Sequence, residues 1–177
     1  SIGKKYYDAP HAGKISDFSS WGPTPNLGLK PEITAPGGDI RSIDNTSKYE
    51  GKNYPYMSGT SMATPHVAGG ILAVNAMLEA HPEIKFTKAE KSALIKAILM
   101  NTATLIEVPG ADGKLFSVRL QGSGLMDLDR ATNPNVVTVV DAKSDSSSFN
   151  EPKVELKQIK ETKLPINLNL KNYTGSD

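Results

Sequence analysis

The sequence predicts an α/β chain in which loops and short strands lead into two helices and then into a β-patterned tail. Three stretches carry that prediction. Residues 61–80 hold no charge before Glu79 and are apolar around most of a helical circumference, the pattern of a buried helix. Leu94, Ile95, Ile98 and Leu99 recur at helical spacing within residues 87–101. After Pro134 the period drops to two, with strand-like runs at 136–140 and 166–170.

Taken in order, residues 1–58 are rich in Gly, Pro, Ser and Asp, which predicts loops with short strands such as 13–18 and 32–35. Pro65 fits only the first turn of a helix, where its missing N–H has no intrahelical partner, so the first helix should start within a few residues of Ser61. Gly69 and Gly70 each cost roughly 1 kcal/mol relative to Ala in a helix, which points to close approach by a neighbouring backbone. Thr87 and Glu90 form a capping box that opens the second helix, with Lys88, Lys91 and Lys96 on its outer face. Residues 102–118 read as loop and short strand, and 121–127 as a glycine-rich turn into a short helix. The change of period places a boundary near 133–135, giving units 1–133 and 134–177. The second is marginal in size for an independent core.

Composition narrows the function. The 177 residues carry a net charge of +1 and no block of Lys and Arg that would track a phosphate backbone, which argues against a nucleic-acid partner. The absence of cysteine excludes a disulfide framework, a thiolate metal site and a cysteine nucleophile. No run approaches the length of a membrane span, and no leader opens the chain, so an export signal is expected upstream of Ser1.

The stretch with chemical content is Gly59-Thr-Ser-Met-Ala-Thr-Pro-His-Val-Ala-Gly69. It sets a serine where loop becomes apolar helix. Unpaired N–H groups at such a point face outward and the helix dipole is positive, so both can stabilise a developing oxyanion. Gly59 allows a tight turn and close approach of a substrate carbonyl. For an arbitrary Gly-x-Ser the commoner explanation is a capping serine. Ala63 stands where an α/β-hydrolase elbow needs glycine.

The ordered string resembles the segment around the nucleophile of subtilisin-like serine peptidases. Three further stretches are similar to family segments and lie in the family's order. They are Phe18-Ser-Ser-Trp-Gly-Pro23, Lys30-Pro-Glu-Ile-Thr-Ala-Pro-Gly37 with Glu32 in place of the usual Asp, and Gln121-Gly-Ser-Gly-Leu-Met-Asp127. Trp21, the long second helix and the β-patterned tail resemble the large cell-envelope proteinases of Gram-positive bacteria, a branch with lactocepins and with streptococcal peptidases that cut complement or chemokine proteins.

The resemblance implies the C-terminal part of a parallel-sheet catalytic domain over 1–133, followed by the opening strands of a fibronectin-like sandwich over 134–177. It implies a serine endopeptidase acting on extracellular proteins at the cell wall, with Ser61 as nucleophile. Tyr56, Met57, Gly59 and Thr60 match substrate-binding positions, with Tyr56, Met57 and Thr60 on the leaving-group side. The catalytic Asp and His and the oxyanion Asn have no counterpart here and are expected from an upstream segment or a separate chain, so this chain alone should be inactive. Ala68, Ile71, Leu72 and Val74 would meet water without such a partner. His66 is rotated away from Ser61 and reads as packed or helix-bonded, His81 as a surface turn, and His11 and Asp17 as loop residues. No cofactor is required for the chemistry. Structural calcium is possible in the family, but Asp39, Asp44, Asp127 and Asp129 have no EF-hand spacing and read better as turn or capping carboxylates. The alternative function is a non-catalytic surface scaffold or adhesion protein that retains the fold.

Overall fold

The computed structural model describes residues 13–43, 54–133, 136–140, 153 and 168–172. His11, Asp44, the polar loop 144–150 and the charged stretch 151–163, apart from Lys153, lie outside them. A short ladder pairs β1 (Ile40–Arg41) with β2 (Tyr56–Met57), antiparallel. Then come α1 (Thr60–Ala80), α2 (Lys91–Thr102), α3 (Val118–Gln121) and α4 (Leu128–Thr132). β3 (Val136–Val140) and β4 (Leu168–Asn172) form a second antiparallel ladder.

The core lies where α1, α2, α4 and β3 meet. Gly70, Val74 and Leu78 follow one another at intervals of four and form the buried stripe of α1. Val74 and Leu78 pack with Leu94, Ile95, Ile98 and Leu99 of α2, with Ala131 and Val137 closing the cluster. The expected all-round burial of α1 is not what the described residues show. Ala68 is exposed, Ile71 is 42% and Leu72 69% exposed, and of the four apolar residues singled out only Val74 is buried. α1 carries no charge before Glu79, and of its apolar surface the Gly70, Val74 and Leu78 stripe is the part covered among the described residues.

α2 opens as its capping box requires. The Thr87 N–H donates to Glu90 Oε2 at 2.8 Å, and the Glu90 N–H donates to Thr87 Oγ1 at 3.2 Å. Residues 88–90 form a turn, so the helix proper starts at Lys91, four residues later than the pattern predicts. At its other end Asn101 reaches β3. Its amide accepts from the Thr138 N–H at 2.8 Å and donates to the Thr138 carbonyl at 3.0 Å, as a neighbouring strand would. β3 and α4 fall at the expected places, and β4 overlaps the expected 166–170 at 168–170, with 166–167 outside the described residues.

Other elements differ from expectation. Residues 13–18 are turn and loop, and 32–35 contain a single parallel bridge, Thr34 to Leu125. That bridge is the one parallel pairing among the described residues. Thr34 bonds to the glycine-rich turn at 124–126 rather than to an adjacent strand, which limits its pairing to one bridge. Gly70 meets the side chains of Met126 and Leu128 rather than a backbone, and Gly69 has no neighbour within 4 Å of a built Cβ. Pro65 lies sixth in α1, in its second turn, and so cannot supply the N–H that the Ser61 carbonyl would otherwise accept. No described helix is long and apolar enough to cross a membrane.

Candidate active site

Ser61 is the second residue of α1 and is exposed. Neither its hydroxyl nor its backbone N–H has a hydrogen-bond partner among the described residues. The turn that delivers it depends on Gly59, whose φ of 155° and ψ of 163° lie in a region nearly closed to other residues. The Gly59 carbonyl accepts from the Met62 N–H at 3.0 Å, which begins the helix, and its N–H donates to the Gly37 carbonyl at 2.8 Å. Gly37 has no room for a side chain: a Cβ there would stand 2.7 Å from the Gly59 oxygen and 3.2 Å from Ala63 Cβ. Beside it, the Asp39 N–H donates to Ser58 Oγ at 2.8 Å. The 30–37 segment is thus the strut beneath the turn that carries Ser61.

That strut is pinned at three points. At Gly37 it holds Gly59. At Thr34 it bonds to the glycine-rich turn, through Thr34 N–H to the Gly124 carbonyl and Met126 N–H to the Thr34 carbonyl, both at 2.8 Å. At Glu32 the carboxylate receives three ammonium groups: Lys30 at 2.6 Å, Lys96 of α2 at 2.8 Å and Lys153 at 3.2 Å. Burial works to raise the Glu32 carboxyl, but the hydrogen bonds from Lys30, Lys96 and Lys153 outweigh it and hold the group at about 2, against an ordinary 4.5. The glycine-rich turn is itself anchored by Gln121. Its buried amide accepts from the Ile106 N–H at 2.8 Å and donates to the Phe116 carbonyl at 2.6 Å.

The stretch leading to Ser61 is open to solvent. Tyr56 is 62% and Met57 48% exposed, and Thr60 is exposed at the helix start. Together with Gly59 they lead along the chain to the serine. The histidines do not join it. His66 Nδ1 donates to the Met62 carbonyl at 2.9 Å, and its five-residue offset turns it about 140° from Ser61. It is exposed, so it is helix-bonded but not packed. His81 caps the far end of α1, roughly 30 Å along the axis, and pairs with Glu83 at 2.6 Å. Asp17 is an exposed turn residue. Asp127 caps α4 by accepting from the Arg130 N–H at 3.1 Å. Among the described residues no three His, Asp or Glu side chains group as metal ligands.

The subtilase family model matches residues 5–151, most of the chain and all four motif stretches. This chain belongs to the subtilase family. It is 36% identical over 170 residues to the PII-type proteinase of Lactococcus lactis subsp. cremoris, an alignment covering 91% of this chain and 8% of that protein. A PII-type proteinase of Lacticaseibacillus paracasei is also 36% identical, over 172 residues, 91% of this chain and 8% of the relative. A C5a peptidase of Streptococcus pyogenes is 38% identical over 122 residues, 67% of this chain and 10% of the relative. The chain therefore spans a tenth or less of the length of these curated relatives.

In this subtilase chain, two features of the site had no sequence signal. Nothing in the pattern joins Glu32 to Lys96 and Lys153, and nothing marks Arg41, whose guanidinium stands over the Tyr54 and Tyr56 rings. A groove of about 540 Å³ also opens between α1 and α2, floored by Val67, Ile71, Ile95 and Leu99 and rimmed by Lys88 and Lys91.

Proposed function

We propose that this chain is the nucleophile-bearing part of a serine endopeptidase that cleaves extracellular proteins at the wall of a Gram-positive bacterium. The observation that supports it is the exposed Ser61 at the positive end of a 21-residue helix, in a chain of the subtilase family. Ser61 Oγ attacks the scissile carbonyl and its N–H helps to bind the resulting oxyanion. A histidine takes the hydroxyl proton, an aspartate orients that histidine, and an asparagine completes the oxyanion site. These three come from an upstream segment of the same peptidase, which also covers Ala68, Ile71 and Leu72. Tyr56, Met57 and Thr60 line the leaving-group side of the cleft, and Gly59 admits the substrate backbone. No cofactor takes part in the chemistry. Residues 134–177 begin a fibronectin-like unit.

The test is hydrolysis of an unfolded protein by the full-length enzyme across pH 5 to 9. The rate should rise through the ordinary histidine range near pH 6.5. Ser61→Ala should lower it by about four to six orders of magnitude. Cleavage that survives in Ser61→Ala, or a flat pH profile, contradicts the assignment.

A further inference from the structure

Arg41 stands opposite Tyr56 in the β1–β2 ladder, as Ile40 stands opposite Met57. Its guanidinium is 5.7 Å from the centre of the Tyr54 ring and 6.0 Å from that of Tyr56. Both rings are more than half exposed, at 53% and 62%, and Arg41 is itself exposed. These ring contacts are its recorded interactions among the described residues, and no described carboxylate pairs with it. A guanidinium attracted to two ring faces keeps its charge and its N–H fork while losing rotational freedom. Much of the ordering entropy of binding a carboxylate is then already spent before the carboxylate arrives.

Position makes this cation relevant to substrate. Tyr56 lies five positions before Ser61, and five residues of chain span at most about 18 Å. An extended polypeptide advances about 3.3 Å per residue, so the Tyr56 backbone lies within about five substrate residues of Ser61, and the Arg41 guanidinium stands 6.0 Å from the Tyr56 ring at that end of the stretch. We infer that Arg41, steadied by Tyr54 and Tyr56, is a specificity-determining residue that selects an acidic side chain on the leaving-group side of the substrate. This rests on the reading of Ser61 as nucleophile and of Tyr56 and Met57 as the leaving-group wall.

The experiment uses the full-length protein and peptides that share one cleavage sequence, with Glu, Gln or Lys placed singly at each of five positions after the scissile bond. A fluorophosphonate titration first counts the reactive Ser61 in wild type, Arg41→Gln and Arg41→Lys. The ratio of kcat/KM for Glu over Gln peptides should be about three to ten at one or two adjacent positions, with Lys disfavoured there, and should shrink in high salt. Arg41→Gln should bring the ratio to one, and Arg41→Lys should leave it intermediate. Enzyme that titrates normally yet shows no acid preference, or keeps the same ratio in Arg41→Gln, overturns the role of Arg41 alone. Failure of the wild type to titrate overturns the nucleophile reading and this inference with it. A Glu preference on the acyl side instead would overturn the placement of Arg41.

Discussion

Replacing Glu32 by Gln removes one carboxylate from three lysines at once, two of them from distant parts of the chain. Holding the Glu32 carboxyl at about 2 instead of 4.5 corresponds to at most about 3.4 kcal/mol of stability at neutral pH. About a quarter of the side chain faces water, and screening reduces the figure to about 1.5–2 kcal/mol. The sign follows from the depressed value. The contribution is fully present above about 4.5 and is lost as pH falls toward about 2. Glu32→Gln should therefore be less stable than wild type by about 1.5–2 kcal/mol at pH 7, and the gap should shrink by roughly half by pH 3. Glu32→Asp, with the shorter side chain usual in the family segment, should fall between the two because it cannot reach all three ammonium groups. Chemical unfolding of the full-length protein, followed by hydrogen exchange in residues 30–37 and 121–126, is the assay. Equal stability of Glu32→Gln and wild type at pH 7, or a gap that does not narrow with acid, would refute the reasoning.

Three further substitutions probe the strut and the core. Gly37→Ala puts a Cβ 2.7 Å from the Gly59 oxygen, so the turn before Ser61 must shift. It should cost about 1–3 kcal/mol and lower kcat more than it raises KM, as read by steady-state kinetics. Thr87→Ala breaks the capping box and should cost about 1 kcal/mol in chemical unfolding with little effect on activity. Ile98→Ala empties a fully buried position between the helices and should cost about 2–5 kcal/mol in the same assay.

The parts of the fold visible in the sequence are those set by local chemistry. The start of α1 follows from Gly59 and an uncharged run, the opening of α2 from Thr87 and Glu90, and α4 from the glycine-rich turn before Asp127. What the sequence hid depends on partners far along the chain. Glu32 joins residues 64 and 121 positions away, so no window of pattern could reveal its environment. The same holds for Gly37 under Gly59, and for Thr34, which looks like part of a strand but pairs at a single bridge. For α1, periodicity could not separate a helix covered on all sides from one covered along a single stripe, as the described residues show. The place of Ser61 at the head of α1 was legible because a long ordered string marks it. Arg41 was not, because its two tyrosines come together only through the hairpin.

The central claim is that the Ser61 hydroxyl becomes a nucleophile at the head of α1. Fluorophosphonate treatment of the full-length protein, followed by digestion and mass mapping of the adduct, tests it most directly. The account predicts one phosphonylated residue, Ser61, with no adduct in Ser61→Ala and none on this 177-residue chain alone. An adduct on another residue, or labelling that persists in Ser61→Ala, would contradict it.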